Sequence, residues 1–286
     1  MSVAVADARR VARGITRRHD ENFPVAFLLL PRDLRADMRA IYAFCRGVDD
    51  LGDGGGADRL ALLDAFELDL HRCWEGVPED PRLQALADTV RRHAMDPDPF
   101  LRLVEANRMD QRQNRWATYP DLVVYCRHSA TPVGEMVLAV LGHRDAGRIA
   151  LSDHTCIGLQ LVNFWQDVRR DLADNDRVYL PAEDMERFGV TEADLAGPSA
   201  NDGTRALIAF QVARARAELI AGAPLARLVT LRARHDLRMF TGGGLALCDA
   251  IARQGYDTLA SRPAPGRLGR ARIALDVVLG LLRRSR

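Results

Sequence analysis

Apolar positions recur along this chain at three- and four-residue intervals, and no stretch sustains a two-residue alternation, so the pattern predicts helices and no strands. From Arg32 to Asp50, Leu34, Met38, Ile41, Ala43, Cys45 and Val48 make one broad inner face. Helical spacing continues over Asp58–Trp74, Pro81–Ala94, Pro99–Asn107, Asp121–Leu141, Ala146–Leu172, Arg205–Ala221, Leu225–Arg234 and Asp236–Leu259. Short helices are expected at Met1–Arg18 and after Pro181 and Thr191, and a last one over Leu268–Leu282, whereas the polar Met109–Tyr119 reads as a connection or a frayed helix. Pro132, inside Ser129-Ala-Thr-Pro132-Val-Gly134, should kink its helix. The small residues there would either admit a ligand to the backbone or serve a helix–helix contact. Gly242-Gly-Gly244 suggests room for something bulky. With no repeat and no clear linker, residues 1–286 read as one all-α domain of about a dozen helices.

Composition narrows the function. The chain has 286 residues, 48% of them hydrophobic, enough for a substantial core. A formal net charge of +1 gives no global reason to expect nucleic acid as a partner. Five cysteines without a C-x-x-C pair argue against a disulfide framework or a zinc site and for a reducing, cytoplasmic setting. The N-terminus lacks an apolar secretion core, and no apolar run has the length of a membrane span. Any membrane would be met peripherally, at the inner face of the cytoplasmic membrane. Between Arg262 and Arg286 seven arginines face one aspartate. With Leu268, Ile273, Leu275, Val278 and Leu282, that segment reads either as an interfacial helix or as a docked terminal helix with solvated arginines.

Two acidic clusters carry the candidate chemistry. Asp49-Asp50-Leu-Gly-Asp53 follows the apolar Ile41–Cys45, and Asn163-Phe-Trp-Gln166-Asp167-Val-Arg-Arg-Asp171 follows Ile157–Trp165. Four helical positions advance the azimuth by about 40°, so Asn163, Asp167 and Asp171 stack on one face, and Asp49 with Asp53 likewise. Taken alone, each cluster fits a solvated acidic face as well as an ion site. Carboxylates beside apolar runs, however, are costly to desolvate unless paired or metal-bound, and oxygen ligands without a dense His or Cys set suit Mg²⁺ shared with phosphates. An EF-hand over Asp49–Leu60 is excluded by Leu51 and Leu60 at ligand positions, and Gly52, Gly54, Gly55 and Gly56 lack the other parts of a P-loop. Arg46, on the face of Tyr42, Asp49, Asp50 and Asp53, reads equally as an intrahelical ion pair and as a phosphate contact.

These clusters, with Ala43-Phe-Cys-Arg46-Gly-Val-Asp49-Asp50-Leu-Gly-Asp53, Tyr125-Cys126 through Pro132-Val133-Gly134, Gln160 through Asp171, and Arg177-Val-Tyr179-Leu-Pro181, make the chain resemble the squalene/phytoene synthase family from about His19 to Pro263. Glu21–Ala26, Asn163–Asp167 and Gln254–Leu259 most resemble its bacterial hydroxysqualene synthase branch. The resemblance implies an all-α isoprenoid-synthase helical bundle around a central apolar cavity, with 19–263 as core and 264–286 as a basic terminal helix. It implies Mg²⁺ as cofactor, bridged to diphosphate by Asp49, Asp50 and Asp53 of one motif and Asn163, Asp167 and Asp171 of the other. Four of these, Asp49, Asp53, Asp167 and Asp171, are the candidate catalytic residues. His19, Asn22, Phe23, Tyr42, Arg46 and Gln160 would contact the diphosphate or the polar end of the substrate. Tyr125, Val133 and Gly134 would line a hydrocarbon channel, and Gln166, Arg177 and Tyr179 complete the substrate-binding set.

The implied reaction is conversion of presqualene diphosphate to hydroxysqualene with release of diphosphate, beside neighbouring enzymes of a route to squalene and hopanoids. Alternatives are condensation of two prenyl diphosphates to presqualene diphosphate, squalene or phytoene, and a non-catalytic relative acting in assembly. Two departures bear on this. Gln166 stands where many relatives have Arg, removing one diphosphate contact, and a tyrosine of carotenoid-type relatives is replaced near Gly244, which would enlarge the cavity and speaks against phytoene synthesis.

Overall fold

The computed structural model describes residues 30–53 and 58–266. The helices expected over 1–18 and 268–282, the candidates His19, Asn22 and Phe23, and Gly54, Gly55 and Gly56 lie outside the described residues. The helices in order are α1 (Arg32–Asp53), α2 (Arg59–Glu75), α3 (Pro81–His93), α4 (Asp98–Arg112), α5 (Tyr119–Ser129), α6 (Thr131–Val140), α7 (Ala146–Asn175), α8 (Ala182–Phe188), α9 (Glu192–Leu195), α10 (Asp202–Gly222) and α11 (Leu231–Arg253). Among the described residues there is no strand, and the one bridge, Arg115 with Val178, is isolated. No described helix is long and apolar enough to cross a membrane.

The ends of these helices follow local chemistry. Asp58 accepts a hydrogen bond from the Ala61 N–H at the start of α2, and Gly76 ends it in the left-handed region at φ 89°. Asp80 caps α3 just before Pro81, a residue that costs nothing in a first turn. Thr191 and Asp194 form a reciprocal capping box on α9. Three expectations are corrected. Pro132 does not kink one long helix: the chain breaks after Ser129, and Pro132 sits in the first turn of α6, where its missing N–H is no loss. The connection begins only after Arg112, because α4 runs on through 108–112. Ala223–Arg227 is a 3₁₀ turn around Pro224, and a single helix, α11, starts at Leu231.

The chain divides into two compact units, Met1–Arg112 with His128–Ile149, and Gln113–Arg127 with Ala150–Arg286. In the first, Met38, Ile41, Phe44 and Val48 of α1 pack with Leu63, Phe66 and Leu70 of α2, Leu83 and Leu86 of α3, and Phe100, Leu103 and Val104 of α4. Phe44 is fully buried, 6.1 Å from the Phe66 ring and 5.3 Å from Phe100. Each such side chain contributes about 1.5–3 kcal/mol by leaving water. Asp37, 1% exposed, ties α1 to α3 by accepting from Thr89 Oγ1 at 3.0 Å and Arg92 Nη1 at 2.6 Å, with His93 Nε2 at 2.9 Å.

In the second unit, Leu161, Val162 and Trp165 of α7, Leu207, Ile208, Val212 and Leu219 of α10, and Leu247, Cys248 and Ile251 of α11 are buried. One close approach of α7 to α10 is at Gly158, where an added Cβ would lie 2.8 Å from Leu219 Cγ and 2.9 Å from the Leu219 backbone nitrogen. Because one of those atoms is backbone, relief requires the helices to separate. Gly158→Ala is expected to destabilise the fold by about 1–3 kcal/mol, read as a lowered denaturant midpoint.

Candidate functional site

The first acidic motif closes α1. Its apolar row faces the core, while Arg35, Arg39, Tyr42, Arg46, Asp49 and Asp53 run along the opposite, partly accessible side. Asn107 and Gln111 of α4 brace its last turn. Asn107 Nδ2 donates to Asp49 Oδ1 at 3.3 Å, and Gln111 Nε2 donates to the Gly52 carbonyl at 3.0 Å. Gly52 has a structural reason to lack a side chain, since a Cβ there would run into the Asn107 amide. Arg46 forms the intrahelical pair, Nε to Asp50 Oδ1 at 3.1 Å; Asp50 and Asp53 are exposed, while Asp49 is half-buried.

The second motif lies on α7, which spans 30 residues. Gln160, Asn163, Asp167 and Asp171 form a half-buried row between fully buried Leu161, Val162, Phe164 and Trp165. Asn163 Oδ1 is buried and accepts no hydrogen bond, an oxygen left in want of a positive partner. Asp167 is held by Arg262, whose Nε donates to Oδ1 at 2.6 Å and whose Nη2 donates to Oδ2 at 2.9 Å. That hydrogen-bonded carboxylate, with Asp171 adding to the field, raises the Arg262 pKa above its ordinary value. Gln166 faces elsewhere: it is 2% exposed, and its Nε2 donates to the Pro263 carbonyl, so its amide belongs to the turn and not to the acidic row.

Aromatic rings pack beside this row. Tyr179 stacks on Phe164 with centroids 3.7 Å apart and planes 8° apart, and on Trp116 at 4.7 Å. Tyr125 lies 5.0 Å from Trp116 and 5.7 Å from Tyr179. A clasp fixes the loop carrying Arg177 and Tyr179: Val178 N–H donates to the Asn114 carbonyl, and Ala182 N–H to that of Trp116. Arg115 Nε donates to Glu192 Oε1 at 2.6 Å and its Nη2 to Asp176 Oδ1 at 2.8 Å, which raises its own pKa well above the usual arginine value. Arg177 is buried, while Val133 and Gly134 lie on α6, Val133 against the first unit's core and Gly134 buried.

Sequence reasoning missed Trp116, Phe164, Asn107, Gln111 and Arg262. An isolated Trp in a polar stretch, and Asn107 four positions before Gln111, were the available signals. Nothing local marked Arg262, 95 residues from Asp167. The Gly242-Gly-Gly244 stretch is divided: space is open at Gly242, whereas an added Cβ at Gly244 would meet Leu159 Cδ2 at 2.9 Å and Leu219 Cδ1 at 2.9 Å.

The donors suit a hard ion in part. Among the described residues no three His, Cys, Asp or Glu side chains converge into an all-protein metal cage. Mg²⁺ does not need one, since it is commonly held by one or two carboxylates with phosphate oxygens and water. Asn163 Oδ1 and the Asp167 and Asp171 carboxylates present that oxygen chemistry on one helical face. Burial pushes the Cys73 and Cys248 thiols up to about 12 and about 11, which leaves them un-ionised near neutrality and poor nucleophiles.

Comparison with known proteins agrees with these motifs. Residues 16–272 match the family model described as squalene/phytoene synthase. The chain is 35% identical over 277 residues to a 15-cis-phytoene synthase of Synechococcus elongatus, covering 91% of this chain and 88% of that one. It is 37% identical over 183 residues to a hydroxysqualene synthase of Zymomonas mobilis, covering 62% and 60%. Its fold superposes with TM-score 0.84 and 46% identity on the crystal structure of squalene synthase HpnC from Alicyclobacillus acidocaldarius, over 90% of this chain and 97% of that one. The all-α architecture is that of the isoprenoid-synthase helical proteins. With both acidic motifs and the match running through nearly the whole chain, the protein belongs to the squalene/phytoene synthase family.

Proposed function

We propose that the chain, acting as one family domain, converts presqualene diphosphate and water to hydroxysqualene and diphosphate with the help of Mg²⁺. The observation that carries this reading is the α7 row, in which Asn163 Oδ1 is buried without a donor one turn from Asp167 and two from Asp171. Such a row suits an ion that brings phosphate with it. Asn163, Asp167 and Asp171 of α7 would hold Mg²⁺, which when bound neutralises charge developing on the departing diphosphate, and Asp49, Asp50 and Asp53 of α1 would offer carboxylates of the same kind. Gln160, on the α7 row, would bind the polar end of the substrate, and Tyr42 and Arg46 of α1 are of a chemistry suited to the same role. Tyr125, Phe164 and Tyr179 supply an apolar wall that keeps water from an allylic or cyclopropylcarbinyl cation until one molecule captures it.

The hydroxysqualene synthase and squalene synthase relatives favour a squalene-route substrate. A condensation of two prenyl diphosphates is the second reading, favoured by the phytoene synthase relative that matches more of the chain. Against it stands the replaced tyrosine near Gly244, where space is open at Gly242 although Leu159 and Leu219 lie close to Gly244 itself. Products separate the two. Incubation with Mg²⁺ and presqualene diphosphate, without reduced nicotinamide, is expected to yield hydroxysqualene, whereas farnesyl diphosphate alone should remain unchanged. Condensation of farnesyl or a longer prenyl diphosphate would replace the first reading by the second.

A further inference from the structure

We propose that Arg262 is a latch on the second acidic motif: it occupies Asp167 while no diphosphate is bound, so that metal and diphosphate must load together. The proposal rests on the reading of Asp167 as a metal ligand. Both oxygens of Asp167 are engaged by the planar guanidinium fork, at 2.6 and 2.9 Å. A divalent ion placed on that carboxylate would sit within a few ångströms of a fixed positive charge, and Mg²⁺ sheds its water reluctantly for so poor a ligand.

The backbone that presents Arg262 is firmly built. Gly255 and Tyr256 both take positive φ, 63° and 59°, a conformation a tyrosine adopts only under constraint. Asp257, 6% exposed, holds the turn by accepting from the backbone N–H groups of Ala200 at 3.0 Å, Leu259 at 3.2 Å and Ala260 at 3.0 Å, and from Arg205 Nη2 at 2.7 Å. Gln254 Nε2 donates to the carbonyls of Asp257 and Ser261, each at 2.8 Å. On the other side Gln166 holds the Pro263 carbonyl and Arg169 Nη1 that of Leu259. The main chain on either side of Arg262 is thus pinned to α7, while the Arg262 side chain remains 48% exposed against 15% for Asp167. Only the guanidinium is free to leave, and an anion offering paired oxygens is the partner that draws it away. Diphosphate provides those oxygens and also the remaining ligands of the ion. Each then strengthens the binding of the other, as coupled equilibria require.

Mn²⁺ binding to the full chain, followed by electron paramagnetic resonance with and without inorganic diphosphate, tests this. The wild-type protein should bind Mn²⁺ about tenfold more tightly when diphosphate is present, within the range usual for coupled sites. Arg262→Gln should bind Mn²⁺ alone about tenfold more tightly than wild type and show a smaller diphosphate effect. Arg262→Lys, which keeps the charge, should stay close to wild type. An unchanged Mn²⁺ affinity in Arg262→Gln overturns the latch, and a weakened one shows that Arg262 orients Asp167 for the ion, which overturns it equally. Should the glutamine variant not fold, an affinity of the wild-type chain that diphosphate leaves unchanged is decisive against it. Failure of the underlying metal reading looks different: Asp167→Asn would then bind Mn²⁺ in the presence of diphosphate as well as wild type does.

Discussion

Replacing Asp49 and Asp167 together by asparagine is expected to lower diphosphate release from a prenyl diphosphate by about a thousandfold or more, because loss of even one group that stabilises developing charge typically costs about 10²–10³ in turnover. The substitutions are nearly isosteric, which makes the result readable. Asn107 Nδ2 donates to Asp49 Oδ1, and an asparagine carbonyl oxygen can still accept it, so the last turn of α1 keeps its brace. At Asp167 the change removes the charge that Arg262 grips without opening a cavity. Far-ultraviolet circular dichroism should match wild type. Substantial turnover by a folded double variant would remove the metal from the account of both motifs.

The second large effect concerns stability. Asp184 of α8 is 3% exposed and accepts from Gln211 Nε2 at 2.8 Å and from Arg214 Nη1. The Arg214 guanidinium lies over the Tyr119 ring at 4.1 Å and the Phe210 ring at 4.4 Å, so aromatic faces take the place of much of the water around it. Removing the carboxylate strands that charge, and leaves the fully buried Gln211 amide without an acceptor. Asp184→Ala should therefore cost about 3 kcal/mol or more, the size expected when one partner of a buried pair is deleted. Adding Arg214→Met should restore part of the loss, since the stranded charge is then gone. An unfolding free energy that falls by less than about 1 kcal/mol in the single variant would class the pair with ordinary surface ion pairs.

Helical class and both acidic rows were legible in the chain because they are local. Periods of three and four residues place Met38, Ile41, Phe44 and Val48 on one side of α1 and Tyr42, Arg46, Asp49 and Asp53 on the other. The same arithmetic puts Gln160, Asn163, Asp167 and Asp171 together on α7. Helix ends were legible where a cap announced them, as at Asp80 with Pro81 or Thr191 with Asp194. They were misplaced around Pro132 and Pro224, since a proline breaks a helix or opens the next one according to what the flanking turns can pack against.

The sequence by itself determined the all-α class, the spacing of the candidate ligands and, through its motifs, the family. Tertiary structure alone decided which partners those side chains take: Arg262 on Asp167, Asn107 on Asp49, Gln166 on Pro263, and Leu159 and Leu219 against Gly244. Each pairing joins residues 25 to 97 positions apart. A helical repeat dictates direction around its own axis, whereas such contacts depend on how separate elements pack, and that is set by the summed fit of many side chains.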